Sequence, residues 1–417
     1  MDHSTPLITN DAVVLGLLAV ILGAIFYTSQ SSHPFWRKFY GVVPALLLCY
    51  FIPAVFNTLG VINGEDSNLY FVSSRYLLPA ALILLTLSID LQAIMRLGPK
   101  ALIMFFTGTA GILIGGPIAL LTVGNFVPDL LQADTPDAVW KGMTTVAGSW
   151  IGGGANQAAM KEVFLVGDSV FAQMVAVDVI VANIWMAVLL IMAARADRID
   201  AWTGADTSSI EDLKRRIEEY EAQHSRIPKV PDFMFIVAIG FGGTGLAHAA
   251  AGWLAPTLAE AAPFLSRFSL TSTFFWIVVI ATTLGLIMSF TRLKAVEGAG
   301  ASKVGGAFVY ILVASIGMHM DISAVLEVPI LFLVGLIWIG IHAGLLLTVA
   351  YLIKAPVFFM AVGSQANVGG AASAPVVASA FHPSLAPVGV LLAVLGYALG
   401  TYGAWLCGQL MRVASGG

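Results

Sequence analysis

Two polar, glycine-rich interruptions of long apolar runs hold the residue types best suited to chemistry. The first reads Gly148-Ser149-Trp150-Ile151-Gly152-Gly153-Gly154-Ala155-Asn156-Gln157. The second reads Gly363-Ser364-Gln365-Ala366-Asn367-Val368-Gly369-Gly370, with Ser373 following. A helix that stops inside an apolar phase leaves free N–H groups and about half a positive charge at its N-terminus, and free carbonyls at its C-terminus. The first kind of end attracts a carboxylate or other anion, and the second attracts a cation such as Na⁺. Glycine permits the sharp turn and the close backbone approach that such a site needs. Ser149, Gly153, Gly154, Asn156 and Gln157 are therefore candidate solute-binding residues, together with Ser364, Gln365, Asn367, Gly369, Gly370 and Ser373. The alternative role of glycine in such runs is close helix packing. That reading is preferred for Gly111-xxx-Gly115, Gly340-xxx-Gly344 and Gly396-xxx-Gly400.

Asp178 is the carboxylate deepest in an apolar run, within Ala176-Val177-Asp178-Val179-Ile180-Val181-Ala182-Asn183. An ionisable group at the centre of a bilayer costs about 3 kcal/mol on insertion scales, so its presence there calls for a function. With Asn183 it forms the candidate site for a coupling cation, Na⁺ or H⁺, and no other metal site or cofactor is expected. Its structural alternative is a hydrogen bond to the glycine-rich backbone. His342 reads as a hydrogen-bonded core residue before it reads as a proton relay. Asp90, Asp321 and His319 stand at the ends of runs, where capping is the simpler role, and Lys161 and Glu162 are expected to pair with each other.

The elements that must position these residues follow from composition. The chain has 417 residues, of which 58% are hydrophobic and 11% charged, with a net charge of -4; typical soluble domains carry about 25% charged residues. Its mean hydropathy is +0.89. There is too little polar surface for a soluble globule and no basic face for nucleic acid. Cys49 and Cys407 both sit in apolar runs and read as packing residues. The fold class is all-α, a polytopic membrane protein whose partner is the lipid bilayer.

Ten runs near the roughly 20 residues that span a bilayer lie at about 12–28, 39–59, 69–88, 101–122, 169–194, 233–251, 271–290, 304–318, 329–352 and 384–411. Asp2, His3 and Asp11 precede the first of these, where a cleavable leader would carry positive charge, so 12–28 reads as a span. The broken stretches 141–166 and 355–381 are expected to be re-entrant hairpins. Lys and Arg concentrate in cytoplasmic loops. If both broken stretches turn back, fifteen of the twenty basic residues fall on one side, seven of them in the linker 195–232. That places the linker in the cytoplasm and both termini outside, and a bacterial inner membrane is the expected location. Within the linker, Ser208 and Glu211 resemble a capping box. Ile210, Leu213, Ile217 and Tyr220 recur at helical spacing, which predicts a short amphipathic helix.

The two sides of the linker look alike. Asp90-Leu91-Gln92 follows the third run and Asp321-Ile322-Ser323 follows the eighth; each half then has a span, a broken stretch opening with Gly-Ser, and a last span. Five spans per half is odd, so residues 1–194 and 233–417 are expected to form two inverted repeats of five transmembrane helices, each with its hairpin. That is a secondary-transporter architecture. Walker A, His-Glu-x-x-His and Gly-x-Ser-x-Gly sequences are absent, so no enzyme is expected.

Over nearly its full length, and most clearly at Gly148–Ala159 and Gly363–Pro375, the chain resembles the membrane family catalogued as domain of unknown function 819. That family is grouped with glutamate:sodium symporters, 2-hydroxycarboxylate transporters and cation:proton antiporters. Gly152-Gly153-Gly154-Ala155 and Gly369-Gly370-Ala371-Ala372 stand where those symporters carry glycine-rich re-entrant loops. Where they place His-Gly-Thr, this chain has Ala155-Asn156-Gln157 and Ala371-Ala372-Ser373. The resemblance implies an elevator mechanism, in which a core holding the hairpins slides against a scaffold that forms a homodimer. The expected function is a cation-coupled symporter, sodium being the favoured ion, for a small organic and preferably anionic solute. The alternatives are a sodium/proton antiporter using Asp178, with His342 as its relay, and a non-transporting membrane sensor built on the same fold.

Overall fold

The computed structural model describes every residue except 1–5, 41–42, 44, 65, 132–134, 206, 208–209, 211–227, 269, 321–328, 383–384 and 417. The amphipathic helix expected in the linker and the Asp321 segment fall outside the described residues. Among those described the chain is helical, with one isolated bridge between Ile8 and Ile62 and no strand. In chain order the principal helices are α1 Asp11–Ser29, α2 Ala45–Thr58, α3 Leu69–Leu87, α4 Pro99–Gly124, α5 Val139–Gly152, α6 Gly154–Val163 and α7 Asp168–Ala193. After the linker come α8 Val230–Ala261, α9 Thr273–Ser289, α10 Ala301–Gly317, α11 Ile330–Leu352, α12 Val357–Val368, α13 Gly370–Phe381 and α14 Ala386–Ala414.

Among the described residues seven helices are long and apolar enough to cross a bilayer, or up to nine if two bent pairs each count as one span. Three of the ten expected spans are shorter helices, namely α2, α9 and α10. The short helix Pro34–Tyr40 meets α2 at 88°, so the run 39–59 is not one straight helix, whereas Arg292–Ala299 leaves α9 at 95° only beyond the expected span 271–290. Large apolar side chains also face outward, among them Val20 on α1, Phe235 and Trp253 on α8, and Leu333 on α11. A helix apolar on all sides belongs in lipid. The chain is a polytopic membrane protein.

The helices gather into two bundles that do not follow the order of the chain. Helices α1, α2, α3, α8, α9 and α10 pack on one another, and α4 to α7 pack with α11 to α14. Without a hydrophobic driving force between helices in lipid, close approach relies on small residues. Gly152 of α5 and Gly400 of α14 face each other so closely that a Cβ on either would collide with the other's Cα. Gly111 and Gly115 accept His342 and Trp338 of α11, and Gly396 accepts the Ile151 carbonyl. Gly340 and Gly344 touch nothing within 4 Å; they lie on the outer face of α11, so the packing expected of them is not made within this chain.

Helix α3 carries a π-turn over Ser73–Leu77. Pro79 explains it, since its ring and missing N–H exclude a bond to the carbonyl four residues earlier, that of Arg75. The freed Arg75 carbonyl accepts instead from Nε2 of His248 on α8, at 2.8 Å.

Both broken stretches fold back on themselves. In the first, Trp140 at the start of α5 meets Phe164 just past the end of α6, with ring centroids 5.8 Å apart. In the second, Phe358 at the start of α12 meets Phe381 at the end of α13, at 5.3 Å. A straight helix would hold each pair more than 30 Å apart, at about 1.5 Å per residue. Each stretch is a hairpin with its feet together and its glycines at the tip.

Candidate functional site

The hairpin tips turn on backbone that only glycine adopts readily. Gly153 has φ 75° and Gly370 has φ 57°, both in the left-handed half of conformational space. The two tips meet: a Cβ built on Gly370 would lie 3.9 Å from the Cα of Gly153. Helices α6 and α13 both begin there, so two N-termini face the same space.

That space is a cavity of about 390 Å³. Ser149, Gly153, Gly154 and Ala155 line it from the first hairpin, and Gln365, Gly369, Gly370, Ala371, Ala372 and Ser373 from the second. Asp178, Val179, Ala182, Asn183 and Met186 of α7 and Tyr397 of α14 complete that side, while Leu46, Leu85, Gly306, Val309 and Tyr310 close it from the other bundle. The cavity therefore sits on the seam between the bundles.

Of the residues singled out in the sequence, the structure brings Ser149, Gly153, Gly154, Gln365, Gly369, Gly370, Ser373, Asp178 and Asn183 to this cavity. Asn156, Gln157, Ser364 and Asn367 stand behind its wall, and each is engaged elsewhere. Asn156 donates from Nδ2 to the carbonyls of Gly152 and Tyr397, at 2.9 and 3.1 Å, and accepts from Thr401 at 2.7 Å. Asn367 repeats the pattern, donating to the carbonyls of Gly363 and Phe105 and accepting from Thr109 at 2.8 Å. In each case the threonine lies one helical turn beyond the residue whose carbonyl is bound. These amides pin the hairpins to α14 and α4.

Ser364 accepts from Trp185 Nε1 and pairs with Nε2 of His342, both at 2.8 Å. The other histidine nitrogen, Nδ1, faces the Gly108 carbonyl at 2.9 Å. A carbonyl only accepts, so Nδ1 carries the proton of the neutral ring and Nε2 accepts from the serine hydroxyl. His342 cross-links α4, α11 and α12 and does not line the cavity.

Asp178 is 4% exposed. Its Oδ1 accepts from Trp150 Nε1 at 2.7 Å and its Oδ2 from Gln157 Nε2 at 2.9 Å; the Ser149 hydroxyl reaches the same carboxylate. Gln157 in turn accepts from the hydroxyl of Tyr50, on the other bundle, at 3.1 Å. Among the described residues no ion pair offsets Asp178, and no group of three or more His, Cys, Asp or Glu residues could hold a metal ion. A carboxylate held by neutral donors at a cavity wall can take up a proton or a monovalent cation. Asn183 lines the wall further along α7, its Nδ2 bonded to the Val179 carbonyl at 2.7 Å.

At the foot of the first hairpin, Lys161 and Glu162 do not pair with each other. Adjacent helical residues point different ways. Lys161 meets Asp168 at 2.8 Å and Glu162 meets Arg75 of α3 at 2.7 Å, while Tyr70 bonds to both Lys161 and Glu162. Trp150, Trp185 and Tyr50 were not singled out as site residues. A polar-edged aromatic inside an apolar run was the only sign of them.

A family profile described as "Protein of unknown function (DUF819)" matches residues 16–414. The chain is also similar to the "Uncharacterized membrane protein YjcL" of Bacillus subtilis (strain 168), at 25% identity over 362 residues, covering 84% of this chain and 85% of that one. The chain belongs to the DUF819 membrane family.

Proposed function

Taking membership of that family as the premise, we propose that this protein is a cation-coupled secondary symporter of a small organic solute. The observation that carries the reading is the meeting of two hairpin tips, Gly153 and Gly370, at a cavity that also holds the buried carboxylate of Asp178. The N-termini of α6 and α13 would hold an anionic group of the solute. Asp178, with Asn183 and neighbouring tip oxygens, would hold the coupling ion, sodium by preference and a proton otherwise.

The two bundles support an elevator mechanism. The hairpins belong wholly to one bundle, and the cavity opens on its seam with the other. Among the described residues Tyr50–Gln157, Tyr70–Glu162, Arg75–Glu162, Thr282–Thr401 and Thr283–Tyr402 are polar contacts that cross that seam, and sliding would exchange them. The bundle carrying the hairpins would move, and the bundle of α1 to α3 and α8 to α10 would stay fixed and form a homodimer. Each bundle draws helices from both sides of the linker, as two inverted repeats of five spans would supply them.

Reconstituted protein tests this reading. An inward Na⁺ gradient should drive uptake of one or more labelled small carboxylates or amino acids. Asp178→Asn should abolish the Na⁺ dependence while the purified variant stays monodisperse. Uptake with unchanged Na⁺ dependence in Asp178→Asn would remove Asp178 from the mechanism.

A further inference from the structure

Several polar groups on the cavity wall already have partners. The Asp178 oxygens hold Trp150 and Gln157, and the Asn183 amide holds a carbonyl of its own helix. Gln365 donates from Nε2 to the Ser373 hydroxyl at 2.7 Å, but its Oε1 has no partner, although the residue is only 1% exposed. Reversing the carboxamide would leave its nitrogen end short instead. Buried polar groups are nearly always paired, and an exception needs an explanation. A ligand donor that arrives with the solute supplies one.

The position of this amide narrows the donor. A Cβ on Gly369 would collide with both Gln365 and Ser373, so the amide lies directly against the glycine that precedes α13. The first-turn N–H groups of α13, at Gly370, Ala371 and Ala372, are its immediate neighbours on the wall. An anionic oxygen on those N–H groups and a donor on Oε1 would then come from one small ligand.

Charge narrows it further. Among the described residues no Lys, Arg or His lines the cavity, and Asp178 is the one charged residue on its wall. A plain anion would enter a space that already holds a carboxylate and offers no basic side chain. A second carboxylate on the solute would find no basic side chain, only the N-terminus of α6, in a space that already holds Asp178. A solute that brings its own positive charge meets neither difficulty.

Resting on the transport reading above, we propose that the cavity takes a small, net-neutral amino carboxylate. Its carboxylate lies on the N-terminus of α13 and its ammonium donates to Oε1 of Gln365, on the side of the cavity that holds Asp178. Gln365 is thus the residue that selects for a positively charged donor.

Three matched triplets test this by thermal unfolding of the full-length protein in detergent with Na⁺ present: glycine, glycolate and acetate; alanine, lactate and propionate; leucine, its hydroxy analogue and isocaproate. A ligand that binds only the native state raises apparent stability. In at least one triplet the amino member should bind about tenfold or more tightly than both of its partners, the scale of one charge-assisted hydrogen bond. Gln365→Met should erase that preference, and Gln365→Glu, which keeps an acceptor, should retain it. If no amino member outbinds its partners, or if Gln365→Met keeps the preference, the assignment is overturned. Equal binding by hydroxy or unsubstituted acids would overturn it and leave the transport reading standing, since that reading falls only on the Na⁺ and Asp178 measurements.

Discussion

A methyl group placed on Gly370 would stand 3.9 Å from the Cα of Gly153, so the tips of two hairpins more than two hundred residues apart in sequence lie within a side chain's reach of each other. Both residues have positive φ, and both line the cavity. The site exists because the chain can make two sharp turns at the same place.

Backbone conformation and not space limits substitution at the first tip. Gly153 has φ 75° and ψ -174°, a region that is essentially glycine-only, yet the nearest atom to a Cβ there is Tyr397 Cε1 at 3.5 Å. Gly153→Ala should therefore destabilise by roughly 1–3 kcal/mol through strain alone. Gly154→Ala, one residue on and free of positive φ, should lie within about 0.5 kcal/mol of the parent. Denaturation midpoints of the two variants in the same detergent check the contrast, and equal losses would contradict it.

The amides that pin the hairpins should contribute stability and not solute affinity. Asn156 accepts from Thr401 while its Nδ2 holds two carbonyls. Asn156→Ala leaves those partners unpaired and should cost about 1–3 kcal/mol. A double-mutant cycle with Thr401→Val should give a coupling of roughly 1 kcal/mol. A coupling near zero would show that the bond contributes nothing.

These two asparagines also mark the limit of what the sequence reveals. The apolar runs, both broken stretches and Asp178 were legible because glycine and charge inside an apolar stretch are local signals. The use of Asn156 and Asn367 was not, because their partners Tyr397 and Phe105 lie 241 and 262 positions away. A neutral amide near a turn looks the same whether it faces a ligand or a neighbouring helix. The division into two bundles was hidden for a related reason: composition shows which segments are apolar, while their grouping depends on which glycine faces which side chain. The pairing expected between Lys161 and Glu162 failed on simple helical geometry.

Arg75 should matter more than its position near the end of a span suggests. It pairs with Glu162 at 2.7 Å, lies over the Phe274 ring at 4.2 Å, and the two paired side chains are 29% and 10% exposed. Arg75→Ala should cost about 1–3 kcal/mol, since a charged group that keeps its burial and loses its partner is expensive. Arg75→Lys should recover only part of that loss, because lysine lacks the planar fork. Unfolding midpoints of the two variants check the order.

Neither native cysteine should complicate labelling. Cys49 and Cys407 are fully buried. A water-soluble maleimide should leave both untouched in the folded protein and modify both after denaturation, as mass spectrometry would show.

The contact between the tips can be tested without knowing the solute. Cysteines introduced as Gly154→Cys and Ala371→Cys, in a background with Cys49 and Cys407 replaced by alanine, would both line the cavity. A protease site placed in the linker between residues 204 and 229 separates the two halves of the chain after cleavage. A short bismaleimide should join the introduced cysteines within one chain, so that the halves stay together on a denaturing gel, and either single-cysteine variant should fall apart. Halves that separate even though each cysteine is individually labelled would show that the two tips do not share a pocket.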